Sequence, residues 1–178
     1  MLTIIFEAHG TSLDNENKVA SGWSDSRLSP LGMDQAKQIG DRYRDKHVDA
    51  VFCSDLKRSQ QSGVIAFDAN PKLIFTDWRL RECDYGDLTQ EPSQSIDAVR
   101  VQHIVEPFPN GESYNQCMER IASFLNDMKV RYEGKTIMII GHRATQYGLE
   151  HWLNNKPLEQ IIAEPWSWQP GWTYKLGA

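Results

Sequence analysis

The sequence predicts an α/β fold, a three-layer α/β/α sandwich around a mainly parallel central sheet. Three observations lead there. Strand-like and helix-like segments alternate four times along the 178 residues, an order that lays parallel strands between helical layers. Thr136–Ile140 is almost wholly apolar, as a strand covered on both faces must be. Two of the predicted strand ends carry a histidine beside a glycine, His9-Gly10 and Gly141-His142. In sheets of this kind, ligands bind beyond the carboxyl ends of the strands.

The elements follow in order. Leu2–Phe6 is a short apolar run that suits a buried strand. Residues 10–27 are rich in Ser, Asp, Asn and Gly and read as one long loop. Ser29-Pro30 gives an N-cap followed by proline at the first helical position. Gly32, Ala36, Ile39 and Tyr43 then recur at helical spacing. Ala50–Cys53 is a second strand. Ser54 is placed to cap the next helix, whose inner face reads as Leu56, Gln60, Val64 and Phe67 with Gly63 beside it. Lys72–Phe75 is a third short strand. Residues 76–110 carry three prolines and read as irregular, with one helix near 94–105. Tyr114, Cys117, Ile121, Phe124, Leu125 and Met128 form the clearest amphipathic helix. The strand Thr136–Ile140 leads through His142 into a helix that Asn154-Asn155-Lys156-Pro157 stops. In the tail, Trp166, Trp168 and Trp172 suit core and edge packing, and Thr173–Leu176 reads as a strand.

Composition narrows the function. Apolar residues make up 40% and charged residues 24%, so one packed core is expected, in a single domain over residues 1–178. The net charge is −5, and positive and negative residues are spread over both halves without a basic run. That disfavours nucleic-acid and anionic-membrane partners. No apolar run is long enough to span a bilayer. The N-terminus meets Glu7 at once and reads as a strand rather than a signal peptide. Three dispersed cysteines, Cys53, Cys83 and Cys117, suit reduced thiols and a cytoplasmic location. Asp14, Glu16 and Asp25 match no calcium loop and read as a solvated polar stretch. His47, His103 and His151 read as solvated or capping residues.

The strand ends suggest phosphoryl chemistry. A neutral imidazole is a fair nucleophile toward phosphorus near neutral pH. A helix that starts just after His142 would aim free N–H groups at an anion. Arg58, one turn beyond the second strand, can face the same rim with positive charge. Glu82, in the irregular segment after the third strand, can supply the acid for a leaving oxygen.

Seven short segments then resemble, in order, the histidine phosphatase superfamily with its phosphoglycerate mutase-like fold. They are Ala8-His9-Gly10-Thr11-Ser12; Asn15-Glu16-Asn17 with Ser21-Gly22-Trp23; Leu28-Ser29-Pro30-Leu31-Gly32; Ser54-Asp55-Leu56-Lys57-Arg58; Leu80-Arg81-Glu82 with Tyr85-Gly86; Gly111-Glu112-Ser113; and Gly141-His142. The resemblance implies that His9 is the nucleophile that becomes phosphohistidine. His142 and Arg58 would stabilise the phosphoryl group, and Glu82 would protonate the leaving oxygen and then activate water. Asn15 would bind phosphate oxygens, while Ser21, Gly22 and Tyr85 would line the substrate side. No metal and no cofactor are implied, and the partner would be a small phosphorylated metabolite.

Two departures stand out. The family's signature arginine before the nucleophile is absent, and Ala8 stands there. The residue after the second histidine is Arg143, where a small residue is usual, and Arg143 is expected to supply the missing positive charge. Only 59 residues separate Glu82 from His142, so residues 87–110 would form a short cover over the site. A short cover admits water, which favours hydrolysis over mutase chemistry. The resulting expectation is a metal-independent phosphatase acting on a small phosphomonoester through phosphohistidine. The alternative is a phosphate-binding or protein-interaction module of the same fold, weakened in catalysis by Ala8.

Overall fold

A computed structural model describes residues 1–68 and 74–177. A five-stranded sheet forms its centre, in the order β3-β2-β4-β1-β5. The strands are β1 (Leu2–Ala8), β2 (Ala50–Cys53), β3 (Ile74–Thr76), β4 (Thr136–Gly141) and β5 (Trp172–Leu176). β1, β2, β3 and β4 run parallel, and β5 pairs with β1 antiparallel at the edge. The expected mainly parallel α/β sandwich is therefore present. The predicted strand Lys72–Phe75 is seen as Ile74–Thr76, with Lys72 and Leu73 outside the described residues.

Alternation along β1 divides the core. Ile4 and Phe6 join the larger cluster, shared with Phe124, Leu125, Tyr147 and Leu149 of α5 (Tyr114–Arg131) and α6 (Arg143–Asn154). Ile5 turns to the other face, where Ile39 and Tyr43 of α2 (Pro30–Tyr43) pack with Val51 and Met138. α3 (Lys57–Ala66) lies beside α2. α2 starts where the sequence indicates, with Ser29 Oγ accepting the Gly32 N–H and Pro30 in the first turn.

Several local expectations are corrected. The loop 10–27 contains a short helix, α1 (Leu13–Glu16), held by a reciprocal cap between Ser12 and Asn15. Four helical residues are too few to show a hydrophobic period. The helix expected near 94–105 is present as α4 (Ser93–Val99), followed by a 3-10 turn over Arg100–His103, whereas α7 (Leu158–Ala163), after the predicted stop of α6, was not expected.

α3 departs most from expectation. Ser54 does not cap it: Leu56 occupies the N-cap, and Ser54 Oγ is engaged with His142 Nε2 at 2.6 Å. The buried residues of this helix are Arg58, Ser59, Ser62 and Gly63, whereas Gln60 and Val64 face solvent. The reason is that α3 docks through polar bonds. Ser59 Oγ accepts the Ser54 N–H and donates to Ile140 O, and Ser62 Oγ accepts the Gly10 N–H and donates to Arg58 O. One helix thus ties down the ends of β1, β2 and β4.

Candidate active site

Register brings the two histidines together. Ala8 pairs with Gly141 in the parallel β1–β4 ladder, so the residues that follow, His9 and His142, leave the sheet side by side. Their ring centroids are 4.9 Å apart. They line a cavity of about 610 Å³ with Arg58, Glu82, Asn15, Ser21, Gly22, Tyr85 and Arg143. Every sequence-predicted site residue therefore reaches one cavity, as do Ser93, Ile96 and Asp97 of α4.

His9 is oriented by the backbone of the next residue. Its Nδ1 lies 2.7 Å from Gly10 O, a bond in which the ring nitrogen must donate. Nε2 is then the nitrogen with the free lone pair. Burial, and next the Arg58 guanidinium, push the imidazole pKa down to about 3, against the opposite pull of the Gly10 bond. His9 is therefore neutral and nucleophilic at ordinary pH. Gly10 must be glycine because a Cβ there would stand 2.3 Å from Gly32 O.

His142 is buried and held by Ser54. Ser54 Oγ accepts the Leu56 N–H, so its own proton is available to His142 Nε2. That places the ring proton on Nδ1, which has no partner among the described residues. Burial first, then the charges of Arg58 and His9, hold the His142 pKa well below its usual value. A neutral donor is thereby left for an incoming acceptor.

Arg58 is 2% exposed. Nη1 donates to Ser24 O and Nη2 to Gly22 O, both at 2.8 Å, which fastens the loop after α1 over the cavity. Gly22 sits at φ +46°, where glycine is favoured. Ser21 Oγ is buried without a partner among the described residues. Asn15 Oδ1 takes the Ser12 N–H, so its amide NH₂ is the end it offers. Burial, and then the Glu82 charge, raise the Tyr85 pKa and keep its hydroxyl protonated.

Glu82 is fixed from three sides. Its Oε1 accepts the Cys83 N–H at 2.8 Å and the Ala144 N–H at 3.2 Å. The α6 N-terminus, expected to face a ligand anion, thus partly serves this carboxylate. Glu82 O accepts from Trp23 Nε1 and from Arg120 Nη2. Oε2 makes no hydrogen bond among the described residues, and Glu82 lines the cavity. Arg120 was not legible as a site residue, yet it also donates to Arg79 O and Arg81 O and pairs with Glu112, so it shapes the whole acid-bearing segment.

Arg143 reaches the cavity, but its charge is engaged. Nη1 donates to Asp97 Oδ1 at 3.1 Å, and Nε donates to the Tyr147 hydroxyl. The tail requires a correction as well. Trp172 packs on Phe6 as expected, but Trp166 and Trp168 form part of the cavity wall instead of packing only in core and edge. Cys83 is fully buried, and burial raises its thiol pKa, so it is inert in this state. Among the described residues no cluster of His, Cys, Asp and Glu is arranged to hold a metal, and no helix is long and apolar enough to cross a membrane.

Comparison with known proteins bears on the family and the fold. The family model described as histidine phosphatase superfamily (branch 1) matches residues 4–168. A protein of Erwinia tasmaniensis named "Probable phosphoglycerate mutase GpmB" is 31% identical over 150 residues, covering 80% of this chain and 70% of the relative. Bacillus stearothermophilus YhfR superposes with a TM-score of 0.82 at 23% identity, over 96% of this chain and 88% of the other. A mycobacterial glucosyl-3-phosphoglycerate phosphatase does so with a TM-score of 0.79 at 21% identity, over 90% and 86%. Likenesses at that level of identity speak for the fold, and the family match speaks for descent: the chain belongs to the histidine phosphatase superfamily, branch 1.

Proposed function

We propose that the protein is a phosphatase that hydrolyses a small phosphomonoester through a phosphohistidine on His9, in one catalytic domain with residues 87–110 as a short cover. The observation that carries this reading is the Nδ1 bond of His9 to Gly10 O, which leaves Nε2 free beside His142, Arg58 and Glu82. The Nε2 lone pair attacks phosphorus, and the phosphorus–oxygen ester bond breaks. The leaving oxygen takes the proton of Glu82 Oε2 in its acid form. His142 Nδ1–H and Arg58 stabilise charge on the phosphoryl oxygens. Glu82, now a carboxylate, then takes a proton from water as that water attacks phosphorus. The nitrogen–phosphorus bond breaks, and phosphate and neutral His9 result.

The retained set of His9, His142, Arg58 and Glu82 favours catalysis over a binding-only module. The brevity of the cover favours water as the acceptor over a second substrate hydroxyl. The test is release of inorganic phosphate from 4-nitrophenyl phosphate by wild type and His9→Ala. Turnover by wild type and its loss in the variant are expected. Equal release by both would remove His9 from the chemistry, and phosphate binding without turnover would favour the binding module.

A further inference from the structure

The catalytic cavity is longer than a phosphate needs. Beyond His9 and Ala8 it is walled by α2 and by the tail, through Gln35, Arg42, Trp166 and Trp168. None of these four takes part in the mechanism above.

The chemistry of this wall is specific. Arg42 donates from Nε and Nη2 to the fully buried Glu7 carboxylate, so the two charges cancel. Nη1 of Arg42 has no partner among the described residues. Gln35 Oε1 accepts the Thr11 N–H at 2.7 Å, which leaves its amide NH₂ as a donor. Trp166 Nε1 is buried, again without a partner among the described residues. The buried side-chain acceptors named here are therefore engaged, while Gln35 and Arg42 each keep a donor. Trp166 rests one face on Trp172. The Trp168 ring lies near the Arg42 guanidinium, 6.0 Å from carbon to centroid, and is 56% exposed.

Three ligand types can be weighed against this wall. A second anion gains little, because Glu7 already neutralises Arg42. A sugar needs acceptors for its hydroxyl protons, and the buried ones are engaged, which leaves it the exposed Gln38 amide. A flat ring that carries acceptor atoms fits both features: its face stacks on the exposed Trp168 indole and its edge receives the Gln35 amide and Arg42 Nη1. From this we infer, resting on the phosphatase reading above, that the arm between α2 and the tail binds the leaving group, and that the preferred substrate is a phosphomonoester ending in a heteroaromatic ring with acceptor atoms.

The experiment compares guanosine 5′-monophosphate, ribose 5-phosphate and glucose 6-phosphate as substrates of wild type and Trp168→Ala. Stacking of one base is worth ~1–3 kcal/mol, or roughly 5- to 150-fold. Wild type is expected to favour the guanosine ester over ribose 5-phosphate by about tenfold or more in kcat/KM, chiefly through KM, with the ratio falling several-fold in Trp168→Ala. A ratio near one in wild type, a ratio unmoved by the substitution, or a preference for glucose 6-phosphate would overturn the inference. If wild type releases no phosphate from any ester, the phosphatase reading fails, and the arm is judged by binding alone. Guanosine should then quench tryptophan fluorescence in wild type and not in Trp168→Ala, whereas no quenching in wild type would overturn the arm as well.

Discussion

His9 is a base kept from being one. A histidine in water is partly protonated near neutrality, but here burial and the Arg58 charge keep it neutral, and Gly10 O fixes which nitrogen keeps its lone pair. Ser54 does the matching task for His142. Ala8 offers one methyl at the position where the resemblance read from the sequence leads to the expectation of an arginine. Arg143 is the cation next to the gap, and Asp97 holds it at 3.1 Å. If Arg143 serves phosphate, Arg143→Ala should weaken competitive inhibition by inorganic phosphate and lower kcat by ~10²–10³. Asp97→Asn should act in the opposite direction on phosphate inhibition, because it frees the guanidinium. Steady-state inhibition of both variants checks this, and unchanged constants in Arg143→Ala would count against any role for it at the phosphate.

Among the elements, α3 and the Gly10–Gly32 contact hold the site in register. The start of α2 lies so close to the loop after β1 that a Cβ on Gly32 would stand 2.0 Å from Thr11 O. The opposing atoms are backbone and cannot swing aside. Gly32→Ala should therefore cost at least about 2 kcal/mol and lower activity through the shifted His9 loop, as read by urea unfolding and phosphate release. Much of this was legible in the sequence. Ser29-Pro30 marked the start of α2, and His9-Gly10 and Gly141-His142 marked the strand ends. The inner face of α3 was legible only at Leu56, Gly63 and Phe67, because apolar spacing cannot reveal a helix that buries Arg58, Ser59 and Ser62 to bind strand ends. Arg120 escaped for a similar reason, as its partners are backbone carbonyls 38–41 residues away in the chain. Trp166 and Trp168 looked like packing residues because sequence shows their area and not what they face.

At the scale of the whole molecule, the site and the stability share a dependence on pH. His9 and His142 both titrate lower when folded than when unfolded. The unfolded chain therefore binds more protons between their ordinary value of 6.5 and the folded value of about 3 for His9. Their contribution to stability is fully present above pH 6.5 and is lost as pH falls toward 3. The urea midpoint should thus fall from pH 7 to pH 4, and His9→Gln should flatten part of that slope. An equal slope in the variant would mean that His9 is not held neutral by the fold. The tail belongs to this scale too, since β5 adds an antiparallel edge strand beside β1 and the segment before it walls the cavity through Trp166 and Trp168.

The central claim is that phosphate passes through Nε2 of His9. It is tested most directly by trapping it there. Glu82→Gln with 4-nitrophenyl phosphate, whose leaving group needs little acid, should load His9 and then hydrolyse slowly for want of a base. Quenching into alkali and mass spectrometry of the peptide spanning residues 2–18 should show one added phosphoryl group, absent from His9→Ala. Phosphate release by wild type with no such adduct in Glu82→Gln, or an adduct on another residue, would contradict the account.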